Sequence, residues 1–226
     1  VVSPDKVATL FTFCAKPSSL GFWILGTVRH LGPGLVNYPL RGKEMTKTVA
    51  VIVGSLRKDA INLKLAQALE KLAAGKLVFK YVEIGDLPLY NDDLWAEPPA
   101  SVLRLKNDIN EADAVLMLTP EYNRSYAGIL KNAMDWGSRP YGQGCWKNKP
   151  VAVTGASPGA IGAAVGQARL RNDLVSLGMI VMPAPEAYIQ WKPEAYGADG
   201  SVTDESTRAF LQSFVDHLAD FTNRLS

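Results

Sequence analysis

From Thr46 onward, short apolar runs alternate with amphipathic helical patterns, and this alternation constrains the fold more than any other feature of the chain. Thr48 to Val53 is a continuous β-branched run ending at Gly54, as expected for a strand buried on both faces. Leu65, Leu69, Leu72 and Ala73 then recur at helical spacing up to Gly75. Leu77 to Val82 reads as a second strand, Val102 to Ala112 as a helix and Ala114 to Thr119 as a third strand. A third helix covers Gly128 to Trp136, a fourth strand Pro150 to Thr154, a fourth helix Ile161 to Leu177 and a fifth strand Met179 to Met182. Phe210, Phe214, Leu218, Phe221 and Leu225 form the apolar stripe of a last helix. Strands separated by helices imply a five-stranded parallel sheet covered on both faces, since parallel neighbours need crossover connections.

Residues 1–44 show no such period. Pro4, Pro17, Gly21, Gly26, Gly32, Pro33, Gly34, Pro39 and Gly42 interrupt every candidate element, and Leu20 to Leu25 is too short to span a bilayer. Lys6 and the apolar run to Ala15 imitate a signal peptide, but no small-residue cleavage site follows. We expect residues 1–44 to be an unstructured leader, an extension upstream of a start at Met45, and residues 45–226 to form one domain. The leader carries Lys6, Lys16, Arg29, Arg41 and Lys43 against Asp5 and Glu44. That leaves 19 of the 24 basic and 20 of the 22 acidic groups for the body, so the net charge of +2 comes from the leader. A nearly neutral body argues against nucleic-acid or membrane binding. With only two Cys and two His, neither a disulfide framework nor a Cys-rich zinc site can be built, and the usual general bases and nucleophiles are scarce. A borrowed organic cofactor is the economical expectation for an enzyme of this composition.

In such a sheet, ligands sit beyond the carboxyl ends of the strands where strand order reverses; for the order 2-1-3-4-5 this lies between strands one and three. The loop after strand one, Gly54-Ser55-Leu56-Arg57-Lys58-Asp59-Ala60-Ile61-Asn62, runs into a helix N-terminus, where unpaired N–H groups suit a phosphate. Ser55 and Asn62 add neutral donors and Arg57 a charged one. An ordinary solvated turn is the alternative, because the loop has neither a Walker ending nor a dinucleotide glycine triplet. The loop after strand three, Thr119-Pro120-Glu121-Tyr122-Asn123-Arg124-Ser125, offers a proline, an aromatic ring, an amide and a carboxylate. That set suits a flat heteroaromatic ligand. It equally suits a helix-entry loop with Ser125 as cap and Tyr122 as packing.

Gly-Ser-x-Arg with Asn62, Thr-Pro-Glu-Tyr-Asn after strand three, and Leu130-Lys131-Asn132-Ala133-Met134-Asp135-Trp136 beyond it resemble the NADPH-dependent FMN reductase family. The likeness continues through Ser138-Arg139-Pro140 and Gly155-Ala156-Ser157-Pro158-Gly159 and covers essentially all of residues 46–226. It implies a flavodoxin-like three-layer sandwich and a cytoplasmic homodimer or homotetramer. The implied reaction passes a hydride from NADPH or NADH through FMN to quinones, azo compounds, flavins or oxyanions such as chromate. Carried over, the FMN phosphate falls on Ser55, Arg57 and Asn62, and the isoalloxazine ring falls against Pro120, Glu121, Tyr122 and Asn123. Ser157 and Gly159 approach the ring's other edge, and Arg124 and Arg139 are candidates for an anionic substrate or the NADPH phosphate. No titratable catalytic residue is required. The chain departs from the family at Ala60, where a Ser often adds a phosphate hydrogen bond, and this is expected to weaken FMN retention. Trp136, Trp146 and Tyr141 are candidates for a subunit interface or for core and pocket positions.

Gly155-Ala156-Ser157-Pro158-Gly159 also matches the Gly-x-Ser-x-Gly nucleophile elbow. That reading fails because the elbow's oxyanion hole uses the N–H of the residue after the serine, and Pro158 has none. Gly155, Gly159, Gly162 and Gly166 lack G-x-G-x-x-G spacing, so close packing of helix on sheet is the expected reason for them. The rival class is a flavodoxin-like electron carrier or redox-sensing flavin module. Flavodoxins are strongly acidic, unlike this body.

Overall fold

The structure, a computed structural model, describes residues 46–226, so the expected leader 1–44 and its start at Met45 lie outside the described residues. Six strands and five helices follow in the order β1 (Lys47–Val53), α1 (Ile61–Leu72), β2 (Leu77–Tyr81), α2 (Ala100–Glu111), β3 (Ala114–Leu118), α3 (Gly128–Gly137), β4 (Pro150–Ser157), α4 (Ala164–Ser176), β5 (Ile180–Val181), β6 (Ala187–Gln190) and α5 (Glu205–Leu225). The sheet order is β2-β1-β3-β4-β5, all parallel, with β6 also paired to β4, which is the expected flavodoxin-like order.

Alternation along β1 explains the three layers. Val49 and Val51 point into a core filled by Leu65 and Leu69 of α1 and Phe214 and Leu218 of α5. Ala50 and Ile52 point the other way, toward Leu105 and Ile109 of α2, Leu130 and Met134 of α3 and Leu170 of α4. Each strand residue therefore buries its side chain whichever way it faces, and polar alternation is absent from the sequence for that reason.

Three boundaries differ from the sequence reading. The strand expected at Met179–Met182 is split: β5 pairs with the start of β4 (Pro150↔Ile180) and β6 with its end (Thr154↔Ala187). Pro183 and Pro185 lie between them and lack the N–H a ladder needs, so the chain leaves the sheet and rejoins it. Strand β4 extends to Ser157 rather than stopping at Thr154, placing Gly155, Ala156 and Ser157 in the sheet. Helix α4 starts at Ala164 rather than Ile161, because Gly162 and Ala163 both take positive φ, +60° and +62°, which an α-helix cannot accommodate.

The Leu130–Trp136 segment anchors the long connection after β2. Asn132 accepts from the Tyr90 N–H at 2.8 Å and donates to Pro88 O at 2.9 Å, and Trp136 Nε1 donates to the same oxygen at 2.8 Å. Trp136 and Trp146 are fully buried, the latter donating to Met134 O at 3.0 Å, so both are core residues rather than interface candidates. Tyr141 is 95% exposed. Among the described residues no helix is long and apolar enough to cross a membrane.

Candidate active site

A cleft of about 150 Å³ opens where the loops after β1, β3 and β4 meet, lined by Ser55, Arg57, Ala60, Ile61, Asn62, Pro120, Glu121, Tyr122, Ala156, Ser157 and Pro158. Larger grooves exist, such as one of about 420 Å³ beside the end of β2, but that groove takes residues from only the first of these loops, whereas this cleft draws on all three. Its position follows from topology. Strands β1 and β3 are neighbours whose following helices pack on opposite faces, so their loops diverge and leave a crevice.

The first wall is the N-terminus of α1. Its N-cap is Ala60, whose side chain cannot cap, and Leu63 and Lys64 both donate back to Ala60 O. The N–H groups of Ile61 and Asn62 find no acceptor among the described residues. An uncapped helix start carries a partial positive charge, and Arg57, which has no ion pair among the described residues, adds a full one. This wall is suited to an anion.

The second wall is the loop after β3. Thr119 Oγ donates to Pro120 O at 2.7 Å and accepts from the Ala127 N–H at 3.2 Å, holding both ends of the loop. Tyr122 and Ser125 exchange backbone hydrogen bonds at 2.9 and 3.0 Å around Asn123 and Arg124, both at positive φ. This is a tight two-residue reversal of the primed kind, and Ser125 belongs to it rather than capping α3. Tyr122 is presented 51% exposed. Asn123 sits at the tip of this reversal and is not among the residues that line the cleft.

Several expected ligand groups are committed elsewhere. The Asn62 amide is 2% exposed and bonded on both sides to Ala156, donating to its O at 3.1 Å and accepting from its N–H at 2.8 Å. The Glu121 carboxylate accepts from the N–H groups of Val165 and Gly166 at 3.0 and 3.2 Å, and Arg124 reaches its other oxygen at 3.4 Å. A carboxylate at a helix N-terminus satisfies orphan donors, and α4 has no cap of its own because Ala163 occupies that position. Ser157 lines the cleft, whereas Gly159 lies outside it and accepts from Ser157 Oγ at 3.2 Å. Arg139 does not line this cleft. It follows the last turn of α3, which starts at the site's edge of the sheet and runs to the other edge, and it lines a separate groove with Tyr141, Trp146 and Lys147. Proximity in sequence to a loop motif does not survive a ten-residue helix, which carries the chain about 15 Å.

Sequence reading missed Gln167. Its buried Nε2 lies within 3.3 Å of three carbonyl oxygens, those of Gly155, Gly162 and Ala187. Its spacing to Leu170 and Leu174 places it on the buried stripe of α4, and a polar residue on that stripe was the available signal. The hydrolase reading has no geometry behind it, since His217 Nδ1 is engaged by Ser213 O of its own helix at 2.7 Å.

Comparison with known proteins identifies the family. The model of the NADPH-dependent FMN reductases matches residues 47–193. A quinone reductase of Pseudomonas putida is 52% identical over 175 residues, spanning 77% of this chain and 94% of the relative. A 2-hydroxy-1,4-benzoquinone reductase of a Burkholderia species is 46% identical over 175 residues, spanning 77% and 96%. Among solved structures, FerB, a flavoenzyme NAD(P)H:(acceptor) oxidoreductase from Paracoccus denitrificans, superposes with a TM-score of 0.79 at 63% identity, covering 80% of this chain and 99% of that one. The chain belongs to the NADPH-dependent FMN reductase family, and is an oxidoreductase with FMN as cofactor and NADPH or NADH as co-substrate.

Proposed function

We propose that the chain is a quinone reductase whose FMN is held in the three-loop cleft, with the phosphate at the start of α1 and the ring on the Pro120–Tyr122 shelf. The observation that carries this is the pairing of an uncapped helix start, beside an arginine with no ion pair among the described residues, with an exposed aromatic residue one loop away. The residues fit the group. The free N–H groups of Ile61 and Asn62, with Ser55 and Arg57, form a donor set for a phosphate. The cleft takes a phosphate and sugar chain but not a three-ring heterocycle as well, which leaves the flat portion outside it on the shelf. When bound, FMN supplies the hydride-accepting and hydride-donating chemistry, and the protein supplies binding, orientation and access.

The chain's own part is to orient and expose. Pro120 and Tyr122 both line the cleft, and the half-exposed Tyr122 gives a bound ring a surface to pack against; we expect a ring held there to stay open to successive substrates. No acid or base is needed at such a site. An open ring also admits azo compounds, free flavins and oxyanions such as chromate as acceptors, with selectivity set by shape. The assembly we expect is a homodimer or homotetramer, with the exposed Tyr141 among its available apolar contacts.

The test is to follow nicotinamide absorbance on mixing protein, FMN and NADPH, with and without a benzoquinone, and then to compare kcat/KM across quinone, azo, flavin and chromate acceptors. The expected result is quinone-dependent NADPH oxidation with the highest kcat/KM for the quinone. Absence of NADPH oxidation with every acceptor would refute the proposal in favour of an electron carrier.

A further inference from the structure

We propose that Asn62, Glu121 and Gln167 are positioning residues that lock the three cleft loops to one another, and that the side chain of Asn62 acts on a bound flavin through Ala156 rather than by touching its phosphate. The inference rests on the FMN reading of the cleft and concerns how the cleft is held.

Thr154 O accepts from the Thr119 N–H at 3.0 Å, so the polar backbone groups of Thr154 face β3. Backbone groups alternate sides along a strand, and Ala156, two residues on, must present its N–H and C=O toward the same side. There β3 has already ended at Leu118, and the chain turns away at Pro120. Two buried backbone groups would be left without partners, a costly state. The Asn62 amide stands where the strand would have continued, giving Ala156 one acceptor and one donor from 94 residues away. Both atoms of the amide are used, in one orientation only, because the reverse orientation would set donor against donor and acceptor against acceptor.

The other two residues complete the lock. Glu121 ties the loop after β3 to the start of α4. Gln167, fully buried on α4, holds Gly155 O of β4, Gly162 O of the following turn and Ala187 O of β6. Loop one is thus fastened to loop three through Asn62, and loop two to the helix after loop three through Glu121. Gln167 fastens loop three to the edge strand. Ser157, the residue of β4 beyond Ala156, reaches the cleft from this fastened base. The polar members of the sequence motifs therefore divide into two sets: Ser55 and Arg57 remain free for a ligand, while Asn62 and Glu121 are spent on the scaffold.

Riboflavin, which lacks the phosphate, separates the two roles. The full chain is stripped of flavin and titrated with FMN and with riboflavin by flavin fluorescence, for the parent, Arg57→Ala, Asn62→Ala, Asn62→Asp and Glu121→Gln. Arg57→Ala is expected to weaken FMN and leave riboflavin unchanged. Asn62→Ala is expected to weaken both by the same factor, about tenfold or more for two lost hydrogen bonds. Asn62→Asp keeps an acceptor for the Ala156 N–H but sets a buried carboxylate against its C=O, and is expected to lose at least as much as Asn62→Ala, again equally for the two flavins. Glu121→Gln, which keeps one accepting oxygen at α4, follows the same equal pattern and carries the test if Asn62→Ala does not fold. A loss confined to FMN at Asn62, or no loss at either Asn62 or Glu121, overturns the inference. If the parent binds FMN no more tightly than riboflavin and Arg57→Ala changes neither, the underlying flavin-site reading fails instead.

Discussion

Gly155→Ala places one methyl group at the point where the cleft loops are joined, and its cost can be worked out from the coordinates. A Cβ built on Gly155 meets Thr119 O at 2.0 Å, Thr119 C at 3.1 Å and Thr119 N at 3.3 Å, all backbone atoms with no side chain to swing aside. A tolerable carbon-to-oxygen contact is about 3.3 Å, so strands β3 and β4 must part by roughly 1.3 Å at this level. That movement breaks the Thr119-to-Thr154 hydrogen bond and strains the hold of Gln167 on Gly155 O. Overpacking costs about 1–3 kcal/mol and each buried hydrogen bond about 1 kcal/mol, giving about 3–5 kcal/mol in all. Against a domain stability of about 5–15 kcal/mol this is a large fraction, and it corresponds to a fall in Tm of roughly 6–20 °C. Gly159→Ala is the matched control, since its added Cβ meets only Ser157 Oγ at 3.8 Å and is expected to change stability by less than about 0.5 kcal/mol. Urea and thermal unfolding of the flavin-free proteins measure both. A Gly155→Ala protein melting within about 2 °C of its parent would show that the strands part without cost, and the close-approach argument would be wrong.

Asn132→Ala removes the pair of hydrogen bonds that holds Pro88 and Tyr90 against α3, and is expected to cost about 1–2 kcal/mol. Hydrogen exchange at the Tyr90 amide should accelerate with it, and unchanged protection would contradict the anchoring role. Asp204 caps α5, and hydrogen bonds from Thr207 and Ser206 hold its carboxyl down to about 2. A depressed folded-state pKa gives stability that is complete above the unfolded value of about 3.9 and is lost as pH falls toward about 2. Asp204→Asn, which still caps but does not titrate, should therefore show a shallower fall in Tm between those two pH values than its parent. Identical slopes would refute the assignment. Burial pushes the Cys145 thiol up to about 11, so in a Cys14→Ser background it should resist iodoacetamide at pH 8 until the protein is denatured. Rapid labelling of the folded protein would show that Cys145 is accessible.

Much of the architecture is legible in the sequence because a strand buried on both faces must be apolar throughout. Thr48–Val53 and Ala114–Leu118 have no other soluble use, and βα alternation then dictates parallel pairing. The split fifth strand was less legible. Ala187–Gln190 alternates buried and exposed residues in only four positions, too short a run to stand out as a strand. The glycines of the Gly155–Gly166 stretch suggest close packing of helix on sheet, but the three that meet close backbone neighbours do so strand to loop, turn to strand and helix to loop. Gly155 meets Thr119, Gly162 meets Tyr188 and Ile189, and Gly166 meets Ser125 and Pro120.

The candidate site divides in the same way. By itself the sequence determined which three loops carry the unusual residues and that they share one end of the sheet, because strand direction and crossover rules are local and topological. Only the tertiary structure decided which of those residues face the cleft. Arg57 and Asn62 are both polar residues near the start of α1, yet one is exposed with no ion pair among the described residues while the other is consumed by a backbone 94 residues away. Hydrogen-bonding capacity is a property of the residue, but whether it is free for a ligand depends on where a neighbouring strand happens to stop.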